Sequence, residues 1–228
     1  MTRLPTELNR LYQSPDAPGP GLPGPDGQTR SMVLELARPA GWEELSAVWR
    51  GVQADLGLPA PAIAVSGSDG LQLWFSLAQP IPGAQAQAFL LALRGRYLGH
   101  VVPDRIGTAA STPPPVERSP GRWSAFVAPD LAAVFADEPW LDMPPGHDAQ
   151  ADLLSRQAMA KPGEFALALE RLAGADAPAA TTPPPARGDS SLGARSFLLE
   201  VMRDRSIDLH LRIEAARALL PYDEGQGP

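Results

Sequence analysis

Two rhythms of hydrophobic and polar positions run along this chain. Residues 31–37 carry Met32, Val33, Leu34 and Leu36, which predicts a first strand with Met32, Leu34 and Leu36 inward and Glu35 on the other face. Trp42, Leu45, Val48, Trp49, Val52 and Leu56 then recur at spacings of three and four, so 41–56 reads as a helix with one face for a sheet. Apolar runs at 62–66 and 71–77 predict two more strands, joined by Gly67-Ser68-Asp69-Gly70, where the glycines allow the chain to reverse. A second amphipathic helix follows at 84–98, with Phe89, Leu90, Leu93 and Tyr97 on its buried side. Val101-Val102 and 123–127 offer two further strands. The resulting β-α-β-β-α-β order predicts an α+β fold with a ferredoxin-like or RNA-recognition-type split βαβ sheet. In that arrangement helices cover one face and leave the other available.

Around this block, 31–145, the pattern weakens. Residues 1–30 read as mostly disordered: 6–12 could form one or two helical turns, but the Pro/Gly/Asp tract at 14–28 has little apolar surface. A Pro/Ser-rich loop is expected at 108–120 and a short helix near 131–135. Residues 146–172 form a helical extension, with helices at 149–160 and 164–172 broken by Pro162-Gly163. A flexible linker at 173–192 leads to a helical hairpin at 193–222 with two apolar stripes, one of them Phe197, Leu198, Val201 and Met202. That hairpin is similar to helical segments of some phage terminase small subunits, and the likeness implies a protein partner or DNA-packaging contacts.

Composition narrows the partners. The 228 residues carry a net charge of -7, so contact with nucleic acid would have to be a local patch rather than a general property. With no cysteine, disulfides, thiolate metal sites and a cysteine nucleophile are excluded. No apolar run approaches membrane-spanning length and the first residues lack a signal-peptide core, so a cytoplasmic protein with no membrane partner is expected. His100, His147 and His210 show no ligand spacing.

Candidate chemistry gathers at the 66–70 turn. With Leu71, Leu73, Phe75 and Leu77 inward, Gln72 and Trp74 join Glu35 on the open face, and Ser66 and Ser68 stand at the turn. Trp74 could stack on a base there. The alternative is that later helices cover this face and bury Trp74 as core, leaving an ordinary hairpin. A short polar turn between buried strands can present backbone amides to an anion. Arg94, Arg96, Arg105, Arg118 and Arg122 outnumber the acidic residues of their stretch, and Arg suits bidentate phosphate contact. Solvated surface arginines explain the same run.

The segment Ser66-Gly67-Ser68-Asp69-Gly70-Leu71-Gln72 resembles the second motif of the archaeo-eukaryotic primase superfamily, in particular the primase-polymerase domain of bacterial ligase D. That resemblance implies a nucleotidyltransferase fold in which first-strand and later carboxylates hold two divalent metals. On this chain the metal and catalytic positions would fall on Glu35 and Asp104, with Mg or Mn as the ion. The nucleotide positions would fall on Ser66, Ser68, Gln72, Trp74 and Arg105. The match is partial: Gln72 stands where the family has His, and Glu35 stands alone where it has two carboxylates. Gln cannot carry the charge open to His, and a single carboxylate is a thin ligand set for two cations. The implied activity is therefore a weakened or inactive nucleotidyltransferase that binds nucleotide or single-stranded nucleic acid. The competing class is a non-enzymatic adaptor working through the C-terminal helices.

Overall fold

A computed structural model describes residues 3–108 and 111–176. In chain order the elements are α1 (Arg3–Tyr12), β1 (Gln28–Ala37), α2 (Trp42–Ala54), β2 (Ala62–Val65), β3 (Gly70–Pro82) and α3 (Gly83–Leu98). A 3-10 turn, Pro103–Arg105, leads to β4 (Ile106–Gly107), β5 (Glu117–Ser119), β6 (Arg122–Trp123) and β7 (Ala125–Val127). A second 3-10 turn, Ala132–Phe135, precedes α4 (His147–Ser155) and α5 (Pro162–Asp176). The molecule is α+β. Its main sheet has the order β4-β1-β3-β2-β7 with every neighbouring pair antiparallel, and β5 pairs with β6 separately.

Strand alternation sorts the side chains to two cores. Met32, Leu34, Leu36, Ile63, Val65, Leu71, Leu73 and Phe75 face one way, against Leu45, Val48 and Val52 of α2, Phe89 and Leu93 of α3, and Phe165 and Ala168 of α5. Val33, Ala62, Ala64, Trp74 and Phe126 face the other way, against Leu4, Leu11 and Tyr12 of α1 and Ala151 and Leu154 of α4. The sheet is therefore the middle of three layers, and the face expected to be open is covered along much of its length.

The N-terminal segment corrects a second expectation, since it is folded onto the sheet. Arg30 explains how a tract poor in apolar residues is held. Its guanidinium donates to the carbonyls of Leu77, Gln13 and Arg10, and its backbone N–H donates to the Ser14 hydroxyl. Fixed donors to several carbonyls replace the missing hydrophobic burial. In the 108–120 loop, Pro113 and Pro114 are buried.

Other boundaries move. Strand β3 continues through Pro80 to Pro82, past the expected end at residue 77, because its far end pairs with Gln28 and Thr29 after a register shift. Val101-Val102 is not a strand; pairing with β1 waits until Ile106 and Gly107. At the opposite sheet edge, Gln150 of α4 donates Nε2 to Phe126 O at 2.9 Å and accepts the Phe126 N–H on Oε1 at 2.7 Å. One side chain thereby takes the place of a neighbouring strand and closes the edge of β7. The hairpin expected at 193–222 and residues 177–192 of the expected linker lie outside the described residues, whereas Ala173–Asp176 belong to α5.

Candidate functional site

Strand register brings the first two candidates together. Glu35 of β1 lies opposite Gln72 of β3, and Gln72 Nε2 donates to Glu35 Oε2 at 2.9 Å. Gln72 Oε1 in turn accepts the Trp74 indole N–H at 2.9 Å, so one amide is fixed from both ends. Gly70 makes room for this carboxylate: a Cβ there would lie 2.5 Å from Glu35 Oε1 and 2.9 Å from its Cγ. Burial pushes the Glu35 carboxyl above its usual range. The Gln72 hydrogen bond opposes that shift, the Asp69 charge adds to it, and the Arg118 and Arg38 charges pull it back.

The 66–70 turn is organised from within. Ser66 Oγ accepts the N–H groups of Ser68 at 3.1 Å and Gly70 at 3.0 Å, and it shares a hydrogen bond with Ser68 Oγ. Gly67 sits at φ +81°, with its N–H donated to Pro139 O. Its missing side chain is required, since a Cβ would come within 2.7 Å of Ser124 N. The amides of Gly67, Ser68 and Gly70 are thus engaged inside the protein, against the expectation that this turn offers them to an anion. Ser66, 3% exposed, shapes the turn; Ser68 and Asp69 are exposed at its tip.

The remaining expected residues separate. Trp74 is 1% exposed and packs against Tyr12 and Phe126 at ring-centroid distances of 5.3 and 6.1 Å. It has no free face for a base, so the stacking role is withdrawn. Gln72, 3% exposed, positions Glu35 and has no open approach to a phosphate. Arg105 donates to the carbonyls of Ala37 and Pro39 and faces Glu44 at 3.8 Å, which commits its guanidinium to the loop after β1. Asp104 is exposed on the 3-10 turn, and its backbone carbonyl accepts from Arg38 Nη2 at 2.7 Å. Among the described residues, no three His, Asp or Glu side chains are grouped to hold a metal ion. One half-buried carboxylate bonded to an amide does not supply the bridging set that a resident two-metal centre requires.

Arg38 and Asp69 were not singled out in the sequence as members of this site. Arg38 follows β1 at φ +55°, donates its N–H to Asp69 O at 3.2 Å and faces the Asp69 carboxylate at 3.9 Å. Arg118 approaches from the other side, with its Cγ beside Gly67 and Nη2 donating to Ser111 Oγ at 3.2 Å. Of the five arginines noted in the sequence, Arg118 is the one whose charge acts on Glu35. Arg96 pairs with Asp55, and Arg122 lies over the Trp140 ring. The site is a partly buried carboxylate flanked by an exposed hydroxyl and two guanidinium groups.

No family model and no curated protein matches this chain.

Proposed function

We propose that the sheet domain is a divergent relative of the primase-polymerase domains, built on a ferredoxin-like split βαβ sheet, and that it binds nucleotides at the 66–70 turn. The observation that carries this reading is the register pairing of Glu35 with Gln72 beneath a glycine-flanked serine turn. The β4-β1-β3-β2 order of the first four strands supports the same kinship. Arg118, Arg38 and Ser68 supply the phosphate contacts, because guanidinium and hydroxyl groups donate to phosphate oxygens without needing the engaged turn amides. Glu35 accepts a hydrogen bond from a sugar hydroxyl or a base N–H. Any Mg or Mn enters as the counter-ion of the triphosphate. Nucleotidyl transfer is weak or lost in this reading, since no metal-holding set of carboxylates is grouped around Glu35 among the described residues.

Titration of a labelled nucleoside triphosphate and of a short single strand at low salt, with and without Mn²⁺, tests the reading. Binding that weakens in Arg118→Ala and Ser68→Ala supports it. No binding by the unaltered protein refutes it and leaves the non-enzymatic adaptor.

A further inference from the structure

An apolar groove of about 460 Å³ runs between β7, the 3-10 turn at Ala132–Phe135 and α4. Phe126, Leu131, Phe135, Leu141 and Leu153 form its walls, and the charged side chains in its lining are Asp152 and Arg156, one helical turn apart. Exposed apolar side chains continue along the same segment of chain: Leu131 is 49% exposed, Val134 73% and Met143 74%. Apolar surface gathered in this way marks an interaction site.

Two observations say what covers it. The first is the closed sheet edge. Gln150 already engages the Phe126 N–H and carbonyl, and β7 pairs with β2 on its other side. An extended peptide therefore has no backbone ladder to join, and recognition runs through side chains, as when a helix lays its apolar face in a groove. The second is charge. Residues 128–156 carry Asp130, Asp137, Glu138, Asp142, Asp148 and Asp152, against Arg156 as their one Lys or Arg. All six acidic residues are exposed, and among the described residues Asp152 alone is in an ion pair, with Arg3. Asp130, Asp142 and Asp148 each adjoin a wall residue in the chain, so carboxylates rim the groove. Such a rim repels nucleic acid and anionic lipid. A small molecule finds no buried polar side chain in the lining to fix its orientation. We infer that the β7–α4 groove docks a basic amphipathic helix of a partner protein. The helix lays its apolar face on Leu131, Phe135, Leu141 and Leu153 and its Lys or Arg side chains over the carboxylate rim. The groove shares no residue with the 66–70 site, so the inference stands apart from the nucleotide reading.

The probe is a labelled 18-residue helical peptide with Leu on one face and Lys on the other, titrated into the full chain by fluorescence anisotropy and amide NMR. Two controls accompany it: the same peptide with Glu for Lys, and a scrambled peptide of equal composition with no apolar face. Saturable shifts centred on Leu131, Phe135, Leu141 and Leu153 are expected, with both controls at least tenfold weaker and affinity falling as salt is raised. Leu131→Asp, at an exposed position, should leave the circular dichroism unchanged and weaken the peptide about ten- to a hundredfold, the effect of one lost apolar anchor. Asp148→Lys should weaken it by a few fold, mostly at low salt. No saturable binding at hundreds of micromolar, shifts that map elsewhere, equal binding of either control, or unchanged affinity in Leu131→Asp would each overturn the assignment. Groove shifts that grow with protein concentration alone would overturn it in favour of a second copy. Groove shifts produced by Leu198→Asp in the free chain would do so in favour of this chain's own C-terminal residues.

Discussion

Replacing Trp74 separates a core residue from a stacking platform by size of effect. Its ring is almost fully buried, edge-on to Tyr12 and Phe126, with Gly21 beside it. Trp74→Ala removes that packing and opens a cavity, at a cost of about 3–5 kcal/mol. Trp74→Phe keeps a ring but loses the indole N–H, leaving Gln72 Oε1 without its donor. One unsatisfied buried acceptor costs about 1–3 kcal/mol. With an m-value near 2 kcal/mol per molar of urea, Trp74→Ala should lower the unfolding midpoint by about 1.5–2.5 M. Trp74→Phe should fall between that variant and the unaltered protein. Equilibrium urea unfolding followed by far-UV circular dichroism reads both. A Trp74→Ala midpoint within about 0.5 M of the unaltered protein would mean that the ring contributes as an exposed side chain does, and would refute the three-layer packing.

Three further outcomes follow from named contacts. Gln150→Ala strands the Phe126 N–H and carbonyl at the sheet edge. It should cost about 2–4 kcal/mol in urea unfolding and promote concentration-dependent association, read by light scattering. Gly67→Ala places a Cβ against the Ser124 backbone at a left-handed φ, so a loss of about 1–3 kcal/mol is expected in the same assay. The raised Glu35 carboxyl makes a folded protein bind its proton more tightly than the unfolded chain. Stability contributed by this group therefore falls as pH rises from the ordinary carboxylate range through the raised value. Glu35→Gln should remove that decline, and parallel pH–stability curves for the two proteins would count against it.

Period-two and period-3.6 patterning made the central block legible, because alternate strand positions go to the two different cores and α2 and α3 each bury one face. Leu71, Leu73 and Phe75 turned inward as expected, which put Gln72 and Glu35 on one face. The second core was harder to read. Nothing in the spacing of Leu4, Leu11 and Tyr12 says that α1 returns over Val33 and Trp74, since that contact is made across a long stretch of chain. The hold on residues 13–30 is equally hidden, resting on carbonyls that only the fold brings to Arg30. Site membership failed for a related reason. Arg105 and Arg118 are alike in sequence, yet one is consumed by the Ala37 and Pro39 carbonyls and the other reaches the turn. Side-chain type suggests a chemistry; the local supply of competing partners decides whether it is available.

The direct test of nucleotide binding at the turn is an amide NMR titration of the full chain with a nucleoside triphosphate and Mg²⁺. Saturable shifts concentrated at Glu35–Arg38, Gly67–Gly70 and Arg118, reduced in Arg118→Ala, are expected. Shifts absent at millimolar ligand, or confined to residues remote from those segments, would contradict it.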